Sequence, residues 1–218
     1  FSAHYLRDVK ARTGQYWYNH FNTIGIIGMN EAILNFYQDG SDLTTEKGQK
    51  FAIETMEYLR KLITDIQEET GHYYNLEATP AEGASYRLAK LDRKKYPDII
   101  TAGERDSYYT NSTQLPVGYT DDIFETMDLQ DELQSMYTGG TVLHLYLGER
   151  ISDIEVAKRL IRKIFNQYKL PYISLTPTFS ICNEHGYISG EQFECPVCGK
   201  ETEVWSRVVG YLRPVKNF

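Results

Sequence analysis

All three cysteines of this 218-residue chain lie between positions 182 and 198, and they are spaced as metal ligands. Cys182-Asn-Glu-His185 offers a thiolate and an imidazole, and Cys195-Pro-Val-Cys198 offers two more thiolates after a gap of nine residues. Two short chelating loops of this kind can place four ligands around one tetrahedral ion, and a closed Cys3His set selects zinc. With every position filled by protein, the ion has a structural role, because no site stays open for catalysis. A small segment with few core residues then depends on its metal to fold. Pro196 and Gly199 suit the tight turn of the second loop, and Gly186 follows the first. A plainer reading leaves His185 as a surface residue. So few cysteines, so closely clustered, do not make a disulfide framework, and a reducing cytoplasm is the expected compartment.

Upstream the pattern alternates helix and strand. Residues Ser2 to Arg12 read as a helix stopped near Gly14, and Thr23 to Ile27 as a short β-branched strand before a helix from Asn30 to Tyr37. The clearest helix runs from Thr44-Thr45 to about Glu69. Phe51, Ile53, Met56, Leu59, Leu62, Ile63 and Ile66 recur in it at three-to-four spacing. Thr45 suits its N-cap and Gly71 its C′ position. Further strands are expected at Tyr73 to Ala78, Thr141 to Leu147 and Tyr172 to Leu175. Helices are expected at Ala84 to Leu91, Asp122 to Met136 and Asp153 to Tyr168. This alternation predicts an α/β fold with largely parallel strands, giving way beyond Thr176 to a turn-rich segment.

The formal charge of −7 excludes a nucleic-acid coat, which needs clustered Lys and Arg. It leaves room for a nucleotide, since backbone N–H groups at a helix start hold phosphate without net positive charge. No apolar run approaches the roughly 18 residues that span a bilayer, and no signal-peptide pattern opens the chain. Beginning at Phe1 and ending at Asn217-Phe218, the sequence reads as a fragment.

Two short motifs carry further chemistry. Glu77-Ala78-Thr79-Pro80-Ala81-Glu82-Gly83-Ala84-Ser85 follows a predicted strand and opens a helix. Small residues with one Gly let backbone amides approach an anion, although ordinary strand-to-helix turns look similar. Arg207-Val208-Val209-Gly210-Tyr211 reads on its own as the end of a strand, Val204 to Val209, at a Gly turn. Glycine also has a chemical use there: an α-carbon radical is stabilised when the carbon flattens between its amide and carbonyl, and glycine has no side chain to obstruct this. Among the other polar groups, His144 in an apolar strand reads as a satisfied core residue.

The Arg207–Tyr211 motif is similar to the glycyl radical signature. Together with the preceding knuckle and its Thr176-Pro177-Thr178-Phe179-Ser180 lead-in, it resembles the anaerobic (class III) ribonucleoside-triphosphate reductases. The Asn22–Ala32 and Tyr109–Pro116 stretches match that family in character, so the resemblance runs over essentially the whole chain. It makes Asn111 and Ser112 candidates to face the active site, with a satisfied loop Asn as the plainer reading. The family's usual knuckle has two Cys-x2-Cys pairs, and His185 departs from it.

The resemblance implies the C-terminal half of a ten-stranded α/β barrel in residues 1–176, a zinc knuckle in 177–203 and a glycyl radical loop in 204–218. Gly210 is then the radical residue. Thr79, Pro80, Ala81, Glu82, Gly83, Ala84 and Ser85 hold the substrate's phosphates, with the backbone of Glu82 to Ser85 as donors. The implied activity reduces ribonucleoside triphosphates to deoxyribonucleoside triphosphates for DNA synthesis. A radical-SAM activase, carrying S-adenosylmethionine and an iron-sulfur cluster, takes hydrogen from Gly210. The radical then oxidises a cysteine to a thiyl that attacks the ribose, and formate or a thiol system restores the site. No Cys precedes Cys182, so the thiyl residue and the nucleotide-effector sites lie outside this chain. A homodimer is also implied. The rival readings are another glycyl radical enzyme of formate-lyase type and a non-catalytic zinc-binding interaction module.

Overall fold

A computed structural model describes residues 2–103, 106–116, 118–148, 150–208 and 211–215. Helices α1 (Ser2–Tyr5) and α2 (Arg7–Thr13) come first, and α2 ends at Gly14 in a left-handed conformation. Strand β1 (Phe21–Gly25) is followed by α3 (Met29–Tyr37), the long α4 (Glu46–Thr70) and β2 (Tyr73–Glu77). β1 and β2 pair in parallel, from Phe21 opposite Tyr73 to Gly25 opposite Glu77. A parallel pair needs a crossover, and α3 and α4 supply it.

The ends of α4 follow from local chemistry. Thr45 has extended backbone, and its hydroxyl accepts from the Gly48 N–H at 3.1 Å, which satisfies one of the donors a helix start leaves over. Gly71, at φ 68°, ends the helix in the left-handed region. Between these ends Gly48, Ala52, Met56 and Ile63 form the buried seam. Met56 and Ile63 were among the predicted apolar positions; Leu62, also predicted, is exposed. The seam packs with Met29, Ile33, Leu43 and Leu76 into the larger core.

After α5 (Glu82–Lys95) and a long connection come α6 (Ile123–Ser135), β3 (Leu143–Leu147), α7 (Ile154–Gln167) and β4 (Ile173–Pro177). Asp122 and Asp153 cap α6 and α7: the Asp122 carboxylate accepts from the Phe124 and Glu125 N–H groups, and that of Asp153 from the Glu155 N–H. β3 and β4 are again parallel, Leu143 opposite Ile173. They form a smaller core of Met127, Leu143, Leu145, Ile164 and Leu170.

Parallel pairing ends at Pro177. The segment expected to be merely turn-rich holds a four-stranded antiparallel sheet in the order β6-β5-β7-β8: β5 (Phe179–Cys182), β6 (Gly186–Ser189), β7 (Glu203–Val208) and β8 (Tyr211–Pro214). Three of its strands, of four residues each, are too short for periodicity to reveal; β7 is the strand expected from Val204 to Val209, starting one residue early. The predicted β1 also sits two residues early, because Ile27 leaves the strand to bridge Asn111. The predicted α5 is short at both ends.

Candidate functional site

Cys182 closes β5, and the turn after it places His185 before β6 opens at Gly186, whose φ of 72° lets the chain reverse. Residues 193–202 fold back on themselves: the Thr202 N–H donates to the Phe193 carbonyl at 3.0 Å, and the Cys195 N–H to the Lys200 carbonyl at 2.8 Å. This small hairpin aims Cys195 and Cys198 at the first pair. Cys182 Sγ lies 3.6 Å from His185 Nδ1 and 3.7 Å from Cys198 Sγ, and Cys195 Sγ lies 3.6 Å from the same Nδ1. The four donor atoms all fall within 4.8 Å of one another.

Tetrahedral bonds of about 2.3 Å to sulfur and about 2.0 Å to nitrogen give edges of about 3.8 Å between sulfurs and about 3.5 Å between sulfur and nitrogen. The observed separations match those edges, so the residues fit a metal of zinc's kind. The Glu184 and His185 N–H groups and the His185 ring hold the Cys182 thiol down to about 6, well below an ordinary thiol. His185 is pushed up, chiefly by Cys182. Burial opposes ionisation at Cys195, but the N–H groups of Cys198 and Val197 outweigh it and lower its pKa as well. Cys182 and Cys195 are buried and His185 is exposed. Lys200 reaches Glu184 at 2.5 Å over the outside of the cluster.

The antiparallel sheet joins this cluster to the predicted radical motif. β5 pairs with β6 on one edge and β7 on the other, Ile181 standing opposite Glu203. β7 then pairs with β8, Val208 opposite Tyr211. Val209 and Gly210 lie outside the described residues. Arg207 donates from Nε to the buried Thr176 hydroxyl at 2.9 Å, and Ser206 meets Thr178 at 3.2 Å, so β7 is fastened to the end of β4.

The second predicted site lies at the carboxyl ends of β1 and β2. Thr79 to Ala81 link β2 to α5, and α5 starts with no side-chain cap at Ala81. Its first backbone donors therefore have no partner within the helix. Ser85, whose N–H donates to the Ala81 carbonyl at 2.7 Å, is buried. A Cβ on Gly83 would meet nothing within 4 Å, whereas one on Gly25 would lie 2.4 Å from Thr79 Oγ1. The end of β1 thus presses directly on the first residue of the loop.

The Tyr109–Thr113 turn packs beside it. Gly28 N–H donates to the Thr110 carbonyl at 2.8 Å and Met29 N–H to the Ser112 carbonyl at 3.1 Å, so the start of α3 rests on this turn. Glu31, only 2 % exposed, accepts from the Thr110 N–H at 2.9 Å and from its hydroxyl at 2.7 Å. From the far side Gln130 donates to the Thr113 carbonyl at 2.9 Å. Tyr109 donates to Asp92 at 2.8 Å, and burial together with that bond pushes its phenol up to about 12. Ser112 holds φ 46°, an uncommon backbone for a residue with a side chain. Two buried side-chain oxygens lack a partner among the described residues, Oδ1 of Asn75 and Oδ1 of Asn111. The expectation of a satisfied Asn111 is therefore corrected. His144 is satisfied, its Nδ1 lying 2.6 Å from Ser174 Oγ, though it is only half-buried.

Sequence reading missed Glu31 and Gln130. Each sits on a helix whose local pattern shows nothing of a partner on a distant loop; an acidic residue within the buried start of α3 was the one available hint.

Comparison with known proteins accords with this arrangement. The family model described as anaerobic ribonucleoside-triphosphate reductase matches residues 1–218. The Haemophilus influenzae protein of that name is 26 % identical over 201 residues, which cover 87 % of this chain and 28 % of that protein. The Escherichia coli counterpart is 25 % identical over the same shares. The crystal structure of the Thermotoga maritima anaerobic ribonucleotide reductase with MES in the active site superposes with a TM-score of 0.69 at 27 % identity, covering 91 % of this chain and 33 % of that one. The same protein in complex with dATP and CTP gives 0.67 at 25 % identity, covering 91 % of this chain and 32 % of that one. The chain spans under a third of the length of the curated relatives it matches. With the match extending from the first residue to the last, the chain belongs to the anaerobic ribonucleoside-triphosphate reductase family.

Proposed function

We propose that this chain is the C-terminal part of an enzyme that reduces ribonucleoside triphosphates to deoxyribonucleoside triphosphates with Gly210 as the radical residue. The observation that carries the reading is the family match over residues 1–218, joined to a four-ligand cluster in the same sheet as the Arg207–Tyr211 motif. Residues 1–176 belong to a ten-stranded barrel completed by the rest of the protein. In support, every residue of β1 is exposed, and among the described strands β1 pairs only with β2. Residues 177–203 form the metal segment and 204–218 the radical loop.

Cys182, His185, Cys195 and Cys198 hold a structural zinc, supported by separations that fit a tetrahedron. Its chemistry is to fix the turn geometry; the side chains around it orient β5 and β7. The loop from Thr79 to Ser85 holds the substrate's phosphates through the amides at the start of α5, supported by the uncapped helix start and the open space over Gly83. A radical-SAM activase takes a hydrogen atom from the Gly210 α-carbon. Gly210 then regains one from a cysteine thiol elsewhere in the protein, and that sulfur radical opens the ribose chemistry. The partners are thus the activase, a ribonucleoside triphosphate, nucleotide effectors and a second copy of the protein, in the cytoplasm.

The test is electron paramagnetic resonance on the full-length protein, incubated anaerobically with its activase, S-adenosylmethionine and a reductant. A glycine-type doublet that disappears in Gly210→Ala is the expected result. No signal with a competent activase reduces Gly210 to a turn residue and favours a zinc-binding interaction module.

A further inference from the structure

We infer that Asn111 contacts the substrate, accepting a hydrogen bond from a ribose hydroxyl through Oδ1, and that Glu31 is the positioning residue that holds it there. The inference rests on the reductase reading of the loop from Thr79 to Ser85.

A buried carbonyl oxygen loses its hydrogen bonds to water on folding and is costly unless something replaces them. Asn111 Oδ1 is buried with no such replacement among the described residues, although the residues around it are tightly provided for. Thr110 before it gives both of its donors to Glu31, and Ser112 after it gives its carbonyl to the start of α3. Asn111's own backbone bridges Ile27 and accepts from the Gln114 N–H at 2.9 Å. Ser112 adopts a left-handed backbone here, a conformation that persists in a non-glycine residue only when its surroundings impose it. A turn held this firmly, with one unpartnered acceptor at its centre, is organised around a donor from outside.

The location narrows the donor. Ser112 Oγ lies 3.5 Å from the carbonyl of Thr79, the first residue of the proposed phosphate loop, and Gly25 presses on the same threonine. A nucleotide whose phosphates lie along residues 79–85 presents its sugar next to them. The phosphates have no donor to offer, so the ribose hydroxyls are the donors that would reach an acceptor on the turn whose Ser112 meets Thr79. Glu31 acts through geometry. A glutamine there still accepts the Thr110 N–H, and the Thr110 hydroxyl can turn to accept from the new amide, so only the longer 3.3 Å bond that Glu31 Oε1 accepts from Asn30 Nδ2 is lost.

The experiment uses activated full-length enzyme. Asn111→Ala should leave the melting temperature unchanged or raised, because Oδ1 has no partner among the described residues, and leave the Gly210 radical yield unchanged. It should lower kcat/KM for a ribonucleoside triphosphate by roughly tenfold or more, as expected when a site built for a hydroxyl loses its partner. Nucleotide analogues lacking the 2′- or 3′-hydroxyl should compete less well than the ribonucleotide for wild type, with that difference reduced in Asn111→Ala. Asn111→Asp keeps an acceptor of the same size and should retain more activity than Asn111→Ala. Glu31→Gln should resemble wild type, and Glu31→Ala should show the kinetic loss of Asn111→Ala. A lowered melting temperature with kcat/KM unchanged would give Oδ1 to another segment of the protein and overturn the inference. Equal losses in Glu31→Gln and Glu31→Ala would overturn the positioning role. A wild-type protein that forms no deoxynucleotide overturns the reductase reading and this assignment together. Normal wild-type turnover with an unaltered Asn111→Ala overturns the assignment alone.

Discussion

Tyr146 donates its hydroxyl hydrogen to the carbonyl of Arg207 at 3.3 Å, across 61 residues of sequence. The bond ties the parallel β3–β4 pair to the antiparallel sheet, and the Arg207 side chain returns to Thr176 on the same pair. The strand that leads to Gly210 is therefore held at its backbone by one strand of the pair and at its side chain by the other.

Removing these ties should loosen β7 without unfolding the upstream cores. Tyr146→Phe should cost about 1 kcal/mol, as for an ordinary hydrogen bond. Arg207→Ala should cost about 1.5–3 kcal/mol, because a charged donor is lost and the Thr176 hydroxyl, which is buried, is stranded. Hydrogen exchange should accelerate in residues 203–208 of both variants and stay unchanged in α4. Uniform acceleration throughout the chain would show that β7 is not an independent anchor.

The metal cluster should control the same strand from its other end. Cys198→Ser or chelation should melt the segment from Phe179 to Thr202, lower the thermal transition and reduce radical yield at Gly210, with metal analysis returning one zinc per wild-type chain. Acid should act similarly. In the metal-free chain the Glu184 and His185 N–H groups hold the Cys182 thiol down to about 6, against an ordinary value of 9.0. A lowered pKa adds stability that is complete above pH 9.0 and lost as pH falls through about 6. Bound metal favours the thiolate further, so metal should be released only on the acid side of that limb, and at higher pH from Cys182→Ser than from wild type. Equal retention in Cys182→Ser and wild type would remove Cys182 from the ligand set.

Gly48 offers a test in which helix propensity and tertiary packing disagree in sign. Gly→Ala inside a helix ordinarily stabilises by about 1 kcal/mol. Here an added Cβ would lie 1.7 Å from the carbonyl oxygen of Asp42, a backbone atom that cannot turn aside. Gly48→Ala should therefore destabilise the chain in urea titration, and by more than the roughly 1 kcal/mol expected from Thr45→Ala at the neighbouring cap. Stabilisation by Gly48→Ala would show that the Asp42–Thr45 turn yields easily.

Gly25→Ala should reach the proposed phosphate loop through one contact, since the new methyl would displace Thr79. The expected result is a raised KM for the ribonucleoside triphosphate, with little change in stability. Partial recovery is expected in Gly25→Ala/Thr79→Ala, which removes the clashing side chain. A double variant no better than the single would mean that the strain falls elsewhere.

Much of the architecture was legible because its signals are local. Thr45 and Gly71 mark the ends of α4 by the bonds and backbone angles those residue types favour, and Asp122 and Asp153 do the same for α6 and α7. The Cys-x2-His and Cys-x2-Cys spacings announced a ligand set because chelation demands short loops, and the four donor atoms do converge. The parallel pairing of β1 with β2 and β3 with β4 followed from the alternation of helix and strand.

What tertiary structure alone decided involves partners distant in sequence. Glu31 and Thr110 are 79 residues apart, and no periodicity links them. Gly48 looks like a weak helix residue until the Asp42 carbonyl is placed against it, and Asn111 looks like an ordinary loop residue until its oxygen is found without a partner. Three of the four strands after Pro177 carry too few residues to state a period, and pairing within the sheet gives them a register. The sequence by itself determined where elements start and stop and which side chains could hold a metal, because those depend on neighbours within a few residues. Which buried polar groups are satisfied, and which are left for a ligand, was decided only when the chain was packed.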